Sequence, residues 1–130
     1  MKSIIIYNSV HHRNTEKIAK VMAEILKADL TDPSETDTDK IKKYDLIGFG
    51  SGIYVGKHHK KLLEFIDDLP VFKNKKVFIF STSGMHEGGI LNRFNKPLEK
   101  RLLKKGFTII GKFSCLGFDT VGPLKLIGAL

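Results

Sequence analysis

The sequence has one cysteine, Cys115, and no apolar run long enough to cross a bilayer. A single cysteine excludes an intrachain disulfide and a cluster of cysteine ligands for a metal ion. Its apolar neighbours, in residues 113–118, indicate a small buried side chain. A membrane-spanning helix needs about 20 predominantly apolar residues, so no membrane span is predicted. The first residues show no signal-peptide pattern, and we therefore expect a soluble, cytoplasmic protein.

The chain of 130 residues is long enough for one domain with a substantial core, and we expect a single domain over residues 1–130. Lysine and arginine number 22 against 14 acidic residues, which leaves a formal net charge of +8. Such a charge is compatible with nucleic-acid binding. However, the lysines are spread along helix-like segments and no nucleic-acid-binding motif is present, so a solvated surface is favoured. The charge predicts an acidic protein partner or an anionic small-molecule substrate.

A polar stretch, residues 9–15, joins an apolar strand-like run at 3–7 to an amphipathic helix-like run at 16–26. A strand that opens directly into a helix points backbone N–H groups and the positive end of the helix dipole at one spot. The stretch also contains side chains that can donate hydrogen bonds to a phosphate: Ser9, His11, His12, Arg13, Asn14 and Thr15. We expect a phosphate-binding loop here. The alternative is an ordinary turn in which Asn14 or Thr15 serves only as an N-cap.

Two further strand-like runs end in loops rich in glycine and polar side chains. Residues 44–50 lead into a predicted loop at 51–56, and residues 76–81 lead into another at 82–89. A helix pattern follows each loop, and a last strand is predicted from 107 to 117 with a bend near Gly111. This alternation predicts a doubly wound α/β sheet with right-handed crossovers. The three loops then lie at the carboxyl edge of the sheet, where ligands bind in such folds.

Other segments give weaker signals. Residues 28–31 read as a short second strand, and the polar stretch 32–39 that follows lacks periodicity, which predicts a shortened or absent crossover helix. In the last helix, Pro97 is expected either to kink the helix or to mark its start with Asn95 as the cap. Gly106 is its expected C-cap. The apolar residues expected on this helix are Ile90, Leu91, Phe94, Leu98, Leu102 and Leu103.

The combination of the three loops resembles the flavodoxin family. Ile6-Tyr7-Asn8-Ser9 followed by Asn14-Thr15-Glu16-Lys17-Ile18-Ala19 is similar to the FMN phosphate loop of that family. His11-His12-Arg13 stands in place of the usual Thr-Gly pair and makes the loop one residue longer, similar to that of menaquinone-dependent protoporphyrinogen oxidases, which share the fold. The resemblance implies a five-stranded parallel sheet of order 2-1-3-4-5 and FMN as the cofactor.

The resemblance also assigns residues to the cofactor. The six residues named above would bind the phosphate, and Gly52, Ile53 and Tyr54 would lie along one side of the flavin. Ser83, Gly84, Met85 and His86 would line its other edge. Tyr54 as a structural aromatic and His86 as an ordinary loop histidine are the alternatives. The remaining histidines lack ligand spacing, so no metal site is predicted.

The carboxyl terminus departs from the family pattern. Flavodoxin-like domains normally close with a helix after the fifth strand, and residues 117–130 leave no room for it. One sheet face near the first strand is then expected to be apolar and uncovered. A partner or a second copy of the chain would contact that face and the terminal apolar residues: Leu124, Leu126, Ile127 and Leu130.

The function that this resemblance implies is electron transfer by an FMN-binding redox protein, in which the cofactor supplies the chemistry and no catalytic residue is required. One alternative is an FMN-dependent oxidoreductase acting on a quinone or porphyrin-like substrate beside Tyr54 and His86. Another is a flavin-free interaction module of the same fold. Flavodoxin carriers are usually acidic, so the charge of +8 favours an acidic partner or an anionic substrate.

Overall fold

A computed structural model describes residues 2–8, 14–54, 57–58, 60–83 and 91–116. The strands are β1 (Ser3–Asn8), β2 (Asp29–Thr31), β3 (Leu46–Tyr54), β4 (Lys57–His58), β5 (Lys75–Ser83) and β6 (Phe107–Leu116). The α-helices are α1 (Asn14–Leu26), α2 (Lys60–Asp67) and α3 (Leu91–Lys104). Two short 3₁₀ helices, Pro33–Glu35 and Thr38–Lys43, connect β2 to β3.

Five strands form a parallel sheet in the order β2-β1-β3-β5-β6. The two-residue strand β4 lies off this sheet path and pairs antiparallel with the end of β3. Counting the parallel strands alone, the order is 2-1-3-4-5, as predicted. The order reverses at β1, because β2 lies on one side of it and β3 on the other.

The sheet is buried on both faces, which explains why its strands read as nearly continuous apolar runs. Ile5, Phe78 and Phe80 pack with Ile18 and Met22 of α1 on one face. The opposite face packs against α2 and α3 through a larger cluster that includes Ile6, Phe49, Ile79, Leu62, Ile66, Leu98 and Leu102. Successive residues of a strand alternate between these faces.

Two strands extend beyond the predicted boundaries. Residues 51–54, expected in a loop, belong to β3, and Thr82 and Ser83, expected in the next loop, belong to β5. Gly52 pairs with Thr82, which pairs with Cys115 on the other side. These ladder partners come from distant parts of the chain, so local sequence could not reveal them.

Helix α3 corrects one expectation and confirms another. It begins at Leu91, with Pro97 inside it and Asn95 buried at 1% exposure, so Asn95 is not its cap. Leu103 is 61% exposed, because it is rotated by about 100° from the inward-facing Leu102. Gly106 ends the helix as predicted, at a φ of +84° and with its N–H donated to the Leu103 carbonyl at 3.1 Å.

The segment between β2 and β3 is compact without an α-helix, as the polar stretch predicted. Ile41 is the buried residue of the second 3₁₀ helix and joins the core on the α2/α3 face. The Lys75 ammonium group of β5 donates to carbonyls at the end of that helix, at 2.6 Å to Tyr44, 3.1 Å to Lys42 and 3.4 Å to Ile41. A lysine on β5 therefore holds the crossover against the sheet.

The strand β6 contains the irregularity expected near Gly111. Its register against β5 shifts between the pairs Val77–Ile109 and Phe78–Gly111, so Ile110 is the extra residue. Residues 117–130 lie outside the described part of the chain. The predictions made for them, a missing closing helix and partner contacts at positions 124–130, therefore stay predictions.

One face of the sheet near the first strand was expected to be apolar and uncovered. At the described positions this expectation is wrong, because Ile5, Phe78 and Phe80 are fully buried and Phe113 is almost so. On this face the rings of Phe78 and Phe113 meet edge to face at a centroid distance of 6.3 Å. Among the described residues, no helix combines the length and the apolar character needed to cross a membrane.

Candidate functional site at the carboxyl edge of the sheet

The candidate site lies where the strand order reverses, at the carboxyl ends of β1 and β3. Connections leave these strands in opposite directions, which opens a crevice between them. Asn8 ends β1 and pairs in register with Ser51 of β3. Helix α1 begins at Asn14 on this same edge, so its first backbone N–H groups and the positive end of its dipole face the crevice.

A hydroxyl pair links this helix start to the centre of the sheet. The Oγ1 atoms of Thr15 in α1 and Thr82 in β5 are 2.6 Å apart, and either hydroxyl can be the donor. The two residues are 3% and 5% exposed. Thr82 was not among the predicted cofactor residues. The run Ser81-Thr82-Ser83 after an apolar strand was the available signal, but the partner of Thr82 is 67 residues away.

A polar row crosses the sheet next to this pair. Asn8, Ser51, Ser81 and Ser114 are register neighbours on four adjacent strands. By the alternation of side chains along a strand, Ser81 lies on the face of Ile79, opposite to the face of Thr82. The Ser51 hydroxyl donates to the Gly52 carbonyl at 3.0 Å. Within the described residues, two buried polar atoms of this row make no hydrogen bond: Asn8 Oδ1 and Ser81 Oγ.

Unsatisfied buried polar atoms cost about 1–3 kcal/mol each and are uncommon in folded proteins. Here they sit at the carboxyl edge, where the sheet changes from an apolar core to a polar rim. The edge therefore offers hydrogen-bonding capacity that a bound polar ligand or water could use.

Tyr7 lies at the same edge on the α1 face. Burial raises the pKa of its phenol, and the nearby carboxylates of Glu16, Asp32 and Glu35 raise it further, as does a hydrogen bond with Glu16. The phenol is therefore neutral at physiological pH. Its link to Glu16 joins the end of β1 to the first turn of α1.

Several predicted site residues come together in the described part of the chain. Asn14 begins α1, Tyr54 ends β3 and Ser83 ends β5, so their backbones meet at the carboxyl edge. Ile53 directly precedes Tyr54 in β3, and the side chains of these four residues are not described. Thr15 and Gly52 are described in full, and both lie at this edge.

The other predicted site residues lie outside the described residues: Ser9, His11, His12, Arg13, Gly84, Met85 and His86. Their roles stay predictions. Elsewhere among the described residues, no group of three histidine, cysteine, aspartate or glutamate side chains is placed to hold a metal ion.

The described residues fit the phosphate end of a flavin nucleotide. A phosphate is an anion that accepts hydrogen bonds. The start of α1 offers backbone N–H groups that have no acceptor within the helix, together with the Thr15 hydroxyl. The unsatisfied Asn8 and Ser81 atoms lie at the same edge but on the opposite face of the sheet, so they are not counted toward the phosphate end.

Comparison with known proteins gives the family. The sequence model of the flavodoxin domain matches residues 4–113. An uncharacterized protein of Methanocaldococcus jannaschii is 50% identical over 130 residues, a match that spans all of this chain and 85% of the relative.

Solved structures share the fold at lower identity. The two-electron reduced flavodoxin of Megasphaera elsdenii has a TM-score of 0.82 at 23% identity, covering 98% of this chain and 96% of that one. Flavodoxin 2 of Bacillus cereus has a TM-score of 0.74 at 22% identity, with coverages of 96% and 92%.

The rubredoxin oxygen:oxidoreductase of Desulfovibrio gigas has a TM-score of 0.76 at 20% identity. The match covers 98% of this chain and 34% of that longer one. The fold thus occurs both as a whole flavodoxin and as part of a larger oxidoreductase. From the family match over residues 4–113 and the sheet order, this chain belongs to the flavodoxin family.

Proposed function

We propose that this protein binds FMN at the carboxyl edge of its sheet and transfers electrons between protein partners. Membership of the flavodoxin family implies a flavin cofactor, which supplies the redox chemistry when bound. The observation that carries the proposal is the convergence of the α1 start, the Thr15–Thr82 pair and the β1–β3 crevice at one edge.

The phosphate is proposed to bind at the start of α1. The helix dipole and the first backbone N–H groups favour an anion there by about 0.3–1 kcal/mol. Thr15 adds a hydroxyl donor from the second residue of the helix. The rest of the phosphate loop is proposed to be Ser9, His11, His12, Arg13 and Asn14.

The isoalloxazine ring is proposed to lie over the ends of β3 and β5. Gly52, Ile53 and Tyr54 would contact one side of the ring, and residues 83–86 would line the other edge. The pairing of Gly52 with Thr82 supports this arrangement, because it makes the ends of β3 and β5 neighbours. In this proposal the protein binds and orients the flavin, and no side chain acts as a general acid or base.

The charge of the chain supports an acidic redox protein as the partner, with both proteins in the cytoplasm. Lys96, Lys100 and Lys104 are exposed on α3 at helical spacing and contribute to a net charge of +8. Such charge speeds association with an acidic protein and makes it sensitive to salt. An anionic quinone or porphyrin-like substrate is the second candidate, since the same charge would also attract it.

The test is FMN titration of the purified apoprotein, followed by anaerobic reduction with dithionite. We expect quenching of FMN fluorescence with one site per chain, reversible bleaching of the bound flavin, and electron transfer to an acidic carrier that slows as salt increases. Lys76→Met, at the opposite edge of the sheet, is the matched control and should bind FMN as the wild type does. Absence of FMN binding would refute the proposal and leave the flavin-free interaction module.

Direct reduction of a quinone by the loaded protein, at a rate above that of electron transfer to protein acceptors, would instead identify an oxidoreductase.

A further inference from the structure

We propose that Thr82 is a positioning residue for flavin phosphate binding, because its hydroxyl donates to Thr15 and directs the single Thr15 proton toward the phosphate. This inference rests on the proposed function and names a residue outside the predicted cofactor contacts. Its basis is the buried Thr15–Thr82 contact at 2.6 Å.

Thr82 is held in place by the sheet. The strand β5 pairs with β3 on one side and with β6 on the other, and Thr82 takes part in both ladders. Threonine also has restricted side-chain rotation because it branches at Cβ. The Thr82 oxygen is therefore a fixed point against which the first turn of α1 is oriented.

Either hydroxyl can donate in the protein alone, and a bound phosphate would select the direction of the hydrogen bond. A hydroxyl carries one proton and two acceptor lone pairs, so only one of the two threonines donates within the pair. A phosphate oxygen accepts and has little to donate. If Thr15 donated to Thr82, it would turn a lone pair toward the anion.

When Thr82 donates instead, Thr15 accepts that bond and keeps its proton for the phosphate. Thr82 → Thr15 → phosphate is then a continuous chain of donors, in which each bond polarises the next. The effect is specific to the phosphate, because riboflavin has the same ring system but no phosphate to receive the Thr15 proton.

The decisive variant is Thr82→Val, which keeps the shape of the side chain and removes its donor. We expect FMN affinity to fall roughly 3- to 10-fold, the loss typical of one hydrogen bond. Riboflavin affinity should change less than about twofold. Thr82→Ser should keep the FMN affinity of the wild type, since serine also supplies a hydroxyl. Thr82→Ala is a second variant without the hydroxyl, for use if Thr82→Val folds poorly.

A double-mutant cycle with Thr15→Val isolates the contact. If Thr82 acts through Thr15, Thr82→Val should have no further effect on FMN affinity in the Thr15→Val background. Inorganic phosphate, used as a competitor of FMN, should lose affinity in Thr82→Val in the same proportion as FMN.

Affinities for FMN, riboflavin and phosphate are measured by fluorescence titration and calorimetry, with thermal unfolding of each apoprotein as a check on folding. A selective loss for FMN that serine restores supports the inference. Equal losses for FMN and riboflavin, or no loss for either, would overturn it while leaving FMN binding by the wild type intact. Failure of the wild type to bind FMN would overturn the proposed function itself, and this inference with it.

Discussion

The ring of Phe80 occupies the space above Gly50 on the neighbouring strand. A Cβ built at Gly50 would overlap three ring atoms of Phe80, and Phe78 stands in the same relation to Gly48. Both rings are fully buried, with their centroids 6.3 Å apart. The glycines of β3 therefore make room for the phenylalanines of β5 on the α1 face.

Gly50→Ala should destabilise the protein by about 1–3 kcal/mol, the usual cost of overpacking a well-packed core. Urea unfolding monitored by circular dichroism measures the change. Gly111→Ala is the matched control: its Cβ would lie 3.0 Å from the Phe113 ring, so its loss should be smaller. Adding Phe80→Leu to Gly50→Ala should recover part of the lost stability. A Gly50→Ala protein as stable as the wild type would show that the close approach of Phe80 to Gly50 does not matter for stability.

Tyr44 predicts a pH dependence of stability in the alkaline range. Burial, and then the hydrogen bond that its hydroxyl donates to Asp29 at 2.6 Å, raise the pKa of Tyr44 to about 12 from the model-peptide value of 10.0. A phenol with a raised pKa in the folded state stabilises the protein fully below pH 10 and loses that contribution as the pH rises from 10 to 12.

Tyr44→Phe should therefore cost about 1 kcal/mol at pH 8, where it removes the hydrogen bond to Asp29. The stability difference between wild type and variant should shrink as the pH rises above 10. Urea unfolding at pH 8, 10 and 11 measures that difference, in which the lysine titrations common to both proteins cancel. A difference that stays constant over this range would contradict the assignment.

Lys75 is expected to have a structural role. It lies at the edge of the sheet opposite to the candidate site. Its ammonium group donates to three carbonyls. Burial lowers the pKa of Lys75, and the nearby negative charge of Asp45 partly offsets this by raising it. Lys75→Met keeps the aliphatic stem but leaves those carbonyls without this donor, so we expect a loss of about 1–3 kcal/mol. Lys76→Met, at the adjacent exposed position, should change stability by less than about 0.5 kcal/mol.

Urea unfolding of both lysine variants provides the comparison. Equal effects of the two substitutions would show that the contacts of Lys75 with the 3₁₀ helix contribute nothing measurable.

Asp32 is expected to stabilise the β2–β3 crossover by capping its first 3₁₀ helix. Its Oδ1 atom accepts from the Ser34 N–H at 2.8 Å, the Ser34 hydroxyl at 2.6 Å and the Glu35 N–H at 3.2 Å. Asp32→Ala should cost about 1 kcal/mol, as for other helix caps. Asp37→Ala is the control because the Asp37 side chain accepts from the Asp39 N–H at 3.0 Å within the next 3₁₀ helix.

Thermal unfolding should rank wild type, Asp37→Ala and Asp32→Ala in order of decreasing stability. The reverse order of the two variants would show that the three hydrogen bonds of Asp32 stabilise the protein less than the one hydrogen bond of Asp37.

The place of the candidate site could be predicted from sequence, from local pattern at the start of α1 and from the family resemblance at the ends of β3 and β5. Asn14 and Thr15 were placed in a polar loop before a helix expected at 16–26, and the structure begins α1 two residues earlier, at Asn14. Gly52 was assigned to the cofactor by the resemblance to the flavodoxin family and was expected in a loop, whereas the structure places it in β3. Thr82 was not assigned to the site, since its contact with Thr15 depends on how β5 is placed against α1.

The amino-acid sequence by itself determined the alternation of strands and helices, the apolar faces of the helices and the end of α3 at Gly106. These features follow from periodicity and from the conformational freedom of single residues, which are properties of short segments. The tertiary structure alone decided where β3 and β5 end and that Thr15 meets Thr82. Each of these depends on atoms brought together from distant parts of the chain, because ladder hydrogen bonds and burial arise only when the sheet assembles.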